Sequence, residues 1–128
     1  MRYLTLPEAL IIAEAVTGID TMSLSKASQL ELLDSALHAP QAGFGDQDHY
    51  PEFEKKAAVL VVRIARNHPL PDGNKRLAWM CLRMFCAING YRFEVLPDQA
   101  VASLVAIAAG GWDEERAARW VSEHLVPE

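Results

Sequence analysis

Cysteine, metal-binding histidine spacings, long apolar runs and an excess of basic charge are all scarce or missing in this 128-residue chain. Each shortage closes off a class of protein. The two cysteines, Cys81 and Cys86, lie five apart on what reads as one helix. That spacing puts them on different faces, so an intrachain disulfide is geometrically poor and both read as reduced core residues. His38, His49, His68 and His124 show no spacing such as HExxH, which argues against a zinc centre. The longest apolar runs, Ala57 to Val62 and Leu77 to Leu82, fall far short of the ~20 residues that cross a bilayer. The first residues lack a signal-peptide layout, and the expectation is a cytoplasmic protein. The length leaves room for one compact domain, residues 1–128.

The formal net charge of −5 argues against a broad polyanion binder, yet it is an average over a polarised chain. Residues 1–62 and residues 93–128 each carry −5, and residues 63–92 carry +5. In that middle stretch Arg63, Arg66, Lys75, Arg76, Arg83 and Arg92 face a single acid, Asp72. So local an imbalance implies an anion to be received.

The hydrophobic pattern is helical throughout, and the fold class is all-α. Thr5 to Glu8 fits a capping box ahead of a first helix that Gly18 ends, and a second helix is expected from about Ser25 to before Pro40. Residues 39–51 are too polar and too rich in turn formers for a helix and read as a long loop or short hairpin. Residues 52–67 and 75–89 are apolar almost all round, which places both helices in the middle of a bundle. Tyr91 to Leu96 reads as an extended link, followed by helices over 97–109 and about 113–124.

The connector between the two most apolar helices runs Arg66-Asn67-His68-Pro69-Leu70-Pro71-Asp72-Gly73-Asn74-Lys75-Arg76. Gly73 permits a positive φ, Asn74 tolerates one, and the helix that follows offers unpaired N–H groups and the positive end of its dipole. Lys75 and Arg76 stand at that same end, where the dipole disfavours each cation by up to roughly 1 kcal/mol unless an anion is present. A phosphate ligand resolves the conflict. Asp72 supplies one carboxylate, the usual protein share of a Mg²⁺ site completed by phosphate oxygens and water. His68, held at a helix end by Pro69, is placed to take a proton from a hydroxyl that attacks the phosphate. A lone histidine at a helix end is more often a packing residue, and Asp-Gly-Asn more often a plain turn, but their joint occurrence with Lys75-Arg76 reverses that weighting. Arg63, Arg83 and Arg92 read as solvated charges or partners for the acidic flanks, and Trp79, Trp112 and Trp120 as core.

His68-Pro-Leu-Pro-Asp72-Gly73-Asn74-Lys75-Arg76 resembles the signature of the Fic/Doc family, close to His-x-Phe-x-Asp/Glu-Gly/Ala-Asn-Gly/Lys-Arg. The length, the all-helical pattern and the 39–51 segment, where the family has a flap over its active site, extend the resemblance over most of the chain. Lys75 rather than glycine after the asparagine marks the Doc (death on curing) branch. The resemblance implies a toxin of a toxin–antitoxin pair that transfers the γ-phosphate of ATP, with Mg²⁺, to a Thr or Ser hydroxyl of elongation factor Tu and arrests translation. It also implies a Phd-like antitoxin as partner. In that reading His68 is the general base, Asp72 the Mg²⁺ ligand, and Gly73, Asn74, Lys75 and Arg76 the phosphate grip. Lys75 is counted with the catalytic residues, and Arg66 touches nucleotide or target. A flap over Phe44 to Tyr50 would hold an extended target segment by strand addition. The sequence departs from the family at Leu70, where the motif usually has phenylalanine, and at Gly73, where the Doc archetype has alanine.

Other readings are AMP transfer by the same fold, a catalytically silent binding module and a helix-turn-helix DNA binder. The last is disfavoured because residues 75–89 lack the polar face that a recognition helix needs.

Overall fold

The computed structural model describes residues 1–128 and is built from seven helices with two short strand pairs. Helix α1 (Leu6–Thr17) starts at the expected capping box. The Thr5 hydroxyl accepts from the Glu8 amide at 3.3 Å, and the Thr5 amide donates to Glu8 Oε1 at 2.9 Å. Gly18 closes the helix in the left-handed region, at φ 76°.

The next segment departs from expectation. Instead of one helix from about Ser25 there are two, α2 (Thr21–Ala27) and α3 (Leu30–His38), and the Asp20 side chain caps α2 on the Ser23 amide. The break at Ser28 and Gln29 has a tertiary cause. It frees the Gln29 amide from the helical ladder to donate to the Pro69 carbonyl, 2.8 Å away, in the connector.

A 3₁₀ turn (Ala39–Gln41) leads into a hairpin, β1 (Gly43–Phe44) and β2 (Gln47–Asp48), in which Phe44 faces Gln47. Helices α4 (Phe53–Asn67) and α5 (Asn74–Ile88) form the centre, as their patterns require. Ala57 to Val62, Ile64 and Ala65 of α4 are all 2% exposed or less. Packed around this pair are α1, α3, α6 (Pro97–Ala108) and α7 (Glu114–His124). One cluster of 28 buried apolar residues draws on every helix, so the chain folds around a single core.

Tyr91 to Phe93, read as part of an extended link, is strand β3. It pairs antiparallel with β4 (Leu125–Pro127), with Arg92 opposite Val126. Stacked rings lock this end of the core: Phe53 lies 5.1 Å from Phe85 and 4.8 Å from Tyr91 between centroids. Cys81 and Cys86 are free and buried in α5, and burial pushes both thiols up to about 12. No helix is long and apolar enough to cross a membrane.

Candidate active site

The α4–α5 connector is short and tightly held. His68 caps α4 with φ 48° and is the one non-glycine residue with positive φ. Pro69 keeps His68 out of the right-handed helical region, so α4 cannot run on through it. Such a conformation is uncommon for a residue with a Cβ and persists only where the surroundings impose it. Here they do: Gln29 bonds the Pro69 carbonyl, and Leu70 is sunk into the core at 4% exposed. Leu70 thus anchors the loop in the core. The imidazole itself is exposed and carries no hydrogen bond within the chain, so both ring nitrogens are open to solvent or substrate.

Asn74 has a different task from the one expected of it. Its side-chain oxygen accepts from the Leu70 amide at 2.8 Å, and its side-chain nitrogen donates to the Leu70 carbonyl at 2.9 Å. Both ends of the amide are occupied in closing the loop, so the side chain is withdrawn from the phosphate grip and only its backbone N–H faces the helix opening. The four-residue spacing of a core leucine and an asparagine was the signal available in the sequence.

Gly73 caps α5 with φ 82°, and its carbonyl accepts from the Leu77 amide at 2.9 Å. A Cβ there would meet Thr17 Cγ2 at 3.1 Å and Arg76 Nη2 at 3.4 Å, so glycine is required by conformation and by space. The Arg76 guanidinium therefore folds back over the helix start. No side chain caps α5 and no acid stands in its first turn, which leaves the amides of Asn74, Lys75 and Arg76 open. Lys75, Arg76 and Asp72 are exposed and make no ion pair within the chain. Three N–H groups and two cations at one helix end make an anion seat.

Asp72 fits a Mg²⁺ ion brought by phosphates. It is a free, exposed carboxylate beside the anion seat, and no cage of three or more His, Cys, Asp or Glu exists elsewhere in the chain. One carboxylate with substrate oxygens and water is the common arrangement for this ion.

Arg66 does not join the site. Its Nε donates to the Ile107 carbonyl at 3.2 Å and its Nη2 to the Trp112 carbonyl, which ties α4 to the α6–α7 junction. The expectation that it grips nucleotide is corrected by that geometry: the guanidinium is committed to two main-chain oxygens, of which the Ile107 carbonyl also accepts from the Gly110 amide. Arg63 pairs with Glu114 at 3.5 Å, and Arg92 with Glu94 at 3.5 Å, as partners of the acidic flanks. Arg83 lies over the ring of Trp79. Trp120 is buried as expected, whereas Trp79 is half-buried and lines a cavity of about 810 Å³ between α5 and α6. Lys75 and Arg76 reach the same cavity, while His68 and Asp72 do not, so it adjoins the connector without containing it.

A sequence profile described as "Fic/DOC family" matches residues 4–86, which include the whole connector. The chain belongs to the Fic/DOC family. "Toxin Doc" of Mycolicibacterium smegmatis is 48% identical over 65 residues, 51% of this chain and 50% of that protein. The chain thus spans about half the length of the curated relative it matches. This likeness agrees with the Doc branch of the Fic/DOC family that Lys75 indicates.

Proposed function

We propose that this protein is the toxin of a toxin–antitoxin pair and a protein Ser/Thr phosphotransferase of the Doc type. It transfers the γ-phosphate of ATP to a hydroxyl of a translation factor, elongation factor Tu, in the cytoplasm. The observation that carries the reading is the open start of α5, where Lys75 and Arg76 flank free amides with no acid to neutralise them. Likeness to Toxin Doc supports the toxin reading, and the partner we propose is a Phd-like antitoxin.

Phosphoryl transfer asks the protein for positioning and charge neutralisation more than for covalent work. The amides of residues 74–76 and the side chains of Lys75 and Arg76 hold the phosphate oxygens and absorb charge that builds on them. Asp72 would hold Mg²⁺, which when bound would supply charge neutralisation for the phosphates. His68 accepts the proton of the attacking hydroxyl. The new bond joins that oxygen to the γ-phosphorus, the bond from the γ-phosphorus to the bridging oxygen breaks, and ADP leaves. Asn74 and Leu70 keep His68 and the amides in one geometry, which matters because a misplacement of about 1 Å costs on the order of 100-fold in rate.

AMP transfer is the second reading, and Gly73, the residue typical of the nucleotidyl-transferring branch, favours it. Incubation with elongation factor Tu, Mg²⁺ and ATP labelled at either the γ or the α phosphate separates the two. Label from the γ position alone is expected; label from the α position alone overturns the phosphotransferase reading. Transfer to no translation factor would favour a silent binding module.

A further inference from the structure

Lys56 is a lysine where lysine is costly. It sits in the first turns of α4, where the dipole disfavours a cation, and is 3% exposed. Its ammonium donates to the Pro40 carbonyl at 3.0 Å and to Asp48 Oδ2 at 3.4 Å, and lies 5.6 Å from the centroid of the Tyr3 ring. Pro40 belongs to the turn that leads into the hairpin and Asp48 to its second strand, so one buried charge fastens both stems to the central helix. Tyr3, stacked on Phe85, backs the same ammonium from the core side.

A second tie acts farther along α4. The Tyr50 hydroxyl donates to Glu114 Oε2 at 3.2 Å, and Arg63 Nε meets Glu114 Oε1 at 3.5 Å. Lys56 and Arg63 are seven residues apart, about 10 Å along the helix. The flap is therefore clamped at two levels while its strands, including Phe44 at 86% exposed, stay open to solvent.

The hairpin has little else to hold it. Its ladder is two residues long on each side, closed by the His49 amide on the Ala42 carbonyl at 2.8 Å, and an isolated hairpin of this size does not persist in water. A Cβ at Gly43 would run into the Gln47 carbonyl oxygen, so the strands are drawn close without side-chain packing between them.

We propose that Lys56 is a positioning residue for the protein substrate: it sets the flap against α4 so that a target strand meets a fixed edge. The inference rests on the proposed function for the identity of the substrate, but not for the anchoring. Replacement by methionine keeps an apolar filler of similar length, an exchange that buried ionic groups often tolerate.

The test uses the full chain with a nitroxide at Gln47→Cys, since buried Cys81 and Cys86 leave that thiol the one open to labelling. Lys56→Met is expected to make the label mobile and to raise KM for elongation factor Tu by about five-fold or more, with kcat and the KM for ATP little changed. Lys56→Arg restores both, and Asp48→Asn, at an exposed position, shifts both in the same direction without risk to the core. A label as immobile as in the wild type overturns the anchoring. A mobile label with unchanged KM, or a fall in kcat alone, overturns the positioning role. If the wild-type chain transfers nothing to elongation factor Tu, the proposed function falls and the spectrum alone decides for or against Lys56 as the anchor.

Discussion

The connector and the flap face the same chemistry in this reading and are held in opposite ways. The connector is closed mainly by its own residues, since Asn74 bonds both backbone groups of Leu70 and Gly73 opens α5, with one outside tie from Gln29 to the Pro69 carbonyl. The flap is closed by side chains outside it, Lys56 of α4 on Pro40 and Asp48 and Glu114 of α7 on Tyr50, the last across 64 positions. Local closure makes a loop whose geometry depends mostly on its own residues. Closure from outside makes an element that one substitution in another helix can release.

The largest expected effect falls on the connector's chemistry. His68→Ala should lower γ-phosphate transfer by roughly 10²–10⁴-fold and leave thermal unfolding unchanged, because the imidazole is exposed and bonds nothing in the chain. A variant that keeps full activity would remove His68 from the mechanism.

Next comes the test of local closure. Asn74→Ala strands the Leu70 amide and carbonyl, a loss of about 2–4 kcal/mol at two buried backbone groups, measurable by urea unfolding. If stability holds, the Asn74–Leu70 pair is not what closes the loop.

Arg66 and Arg76 sharpen the division between scaffold and site. Arg66→Met should cost about 2 kcal/mol of stability, as charge-assisted bonds to two carbonyls are lost, and leave ATP binding intact. Arg76→Ala should do the reverse, weakening ATP binding with little effect on unfolding. Calorimetric titration with ATP and denaturant melts on both variants would reveal an exchange of roles.

The smallest effect concerns the flap. Desolvation, and then the facing Glu114 carboxylate, raise Tyr50 above its ordinary value of 10.0. A raised group contributes stability that is present below its unfolded value and is lost as pH rises through its folded value. The flap tie should therefore hold through neutral pH and give way above pH 10, while the connector, which contains no tyrosine, keeps its geometry. Tyr50→Phe should remove that alkaline transition, as followed by a probe on the hairpin. Its cost to global stability should stay within about 1 kcal/mol, the range for a partly exposed hydrogen bond.

The legibility of the chain followed the same division. The all-α class, the capping box at Thr5, the buried pair α4 and α5 and the connector between them could be read because each depends on contacts within a few residues. Gly73 and Lys75-Arg76 at a helix start also announced themselves, since their conformational and electrostatic demands are local. The break between α2 and α3 could not be read, because its cause is a bond from Gln29 to Pro69. Nor could the pairing of β3 with β4, whose partners meet only after α6 and α7 have crossed.

Arg66 and Asn74 mark where residue type misleads. A basic residue two places before the histidine and an asparagine in a phosphate loop both suit an anion, yet one is satisfied by carbonyls of α6 and the α6–α7 link and the other by Leu70. Lys56 is the converse, a lysine with no motif around it whose burial under the hairpin gives it a task. The helices, the connector and the chemical kinds gathered there follow from residue order alone, because propensity, proline geometry and charge act over a few residues. Which of those polar groups remain free to meet a substrate follows from the packed fold, because a donor's availability depends on which acceptors the rest of the chain brings within about 3 Å of it.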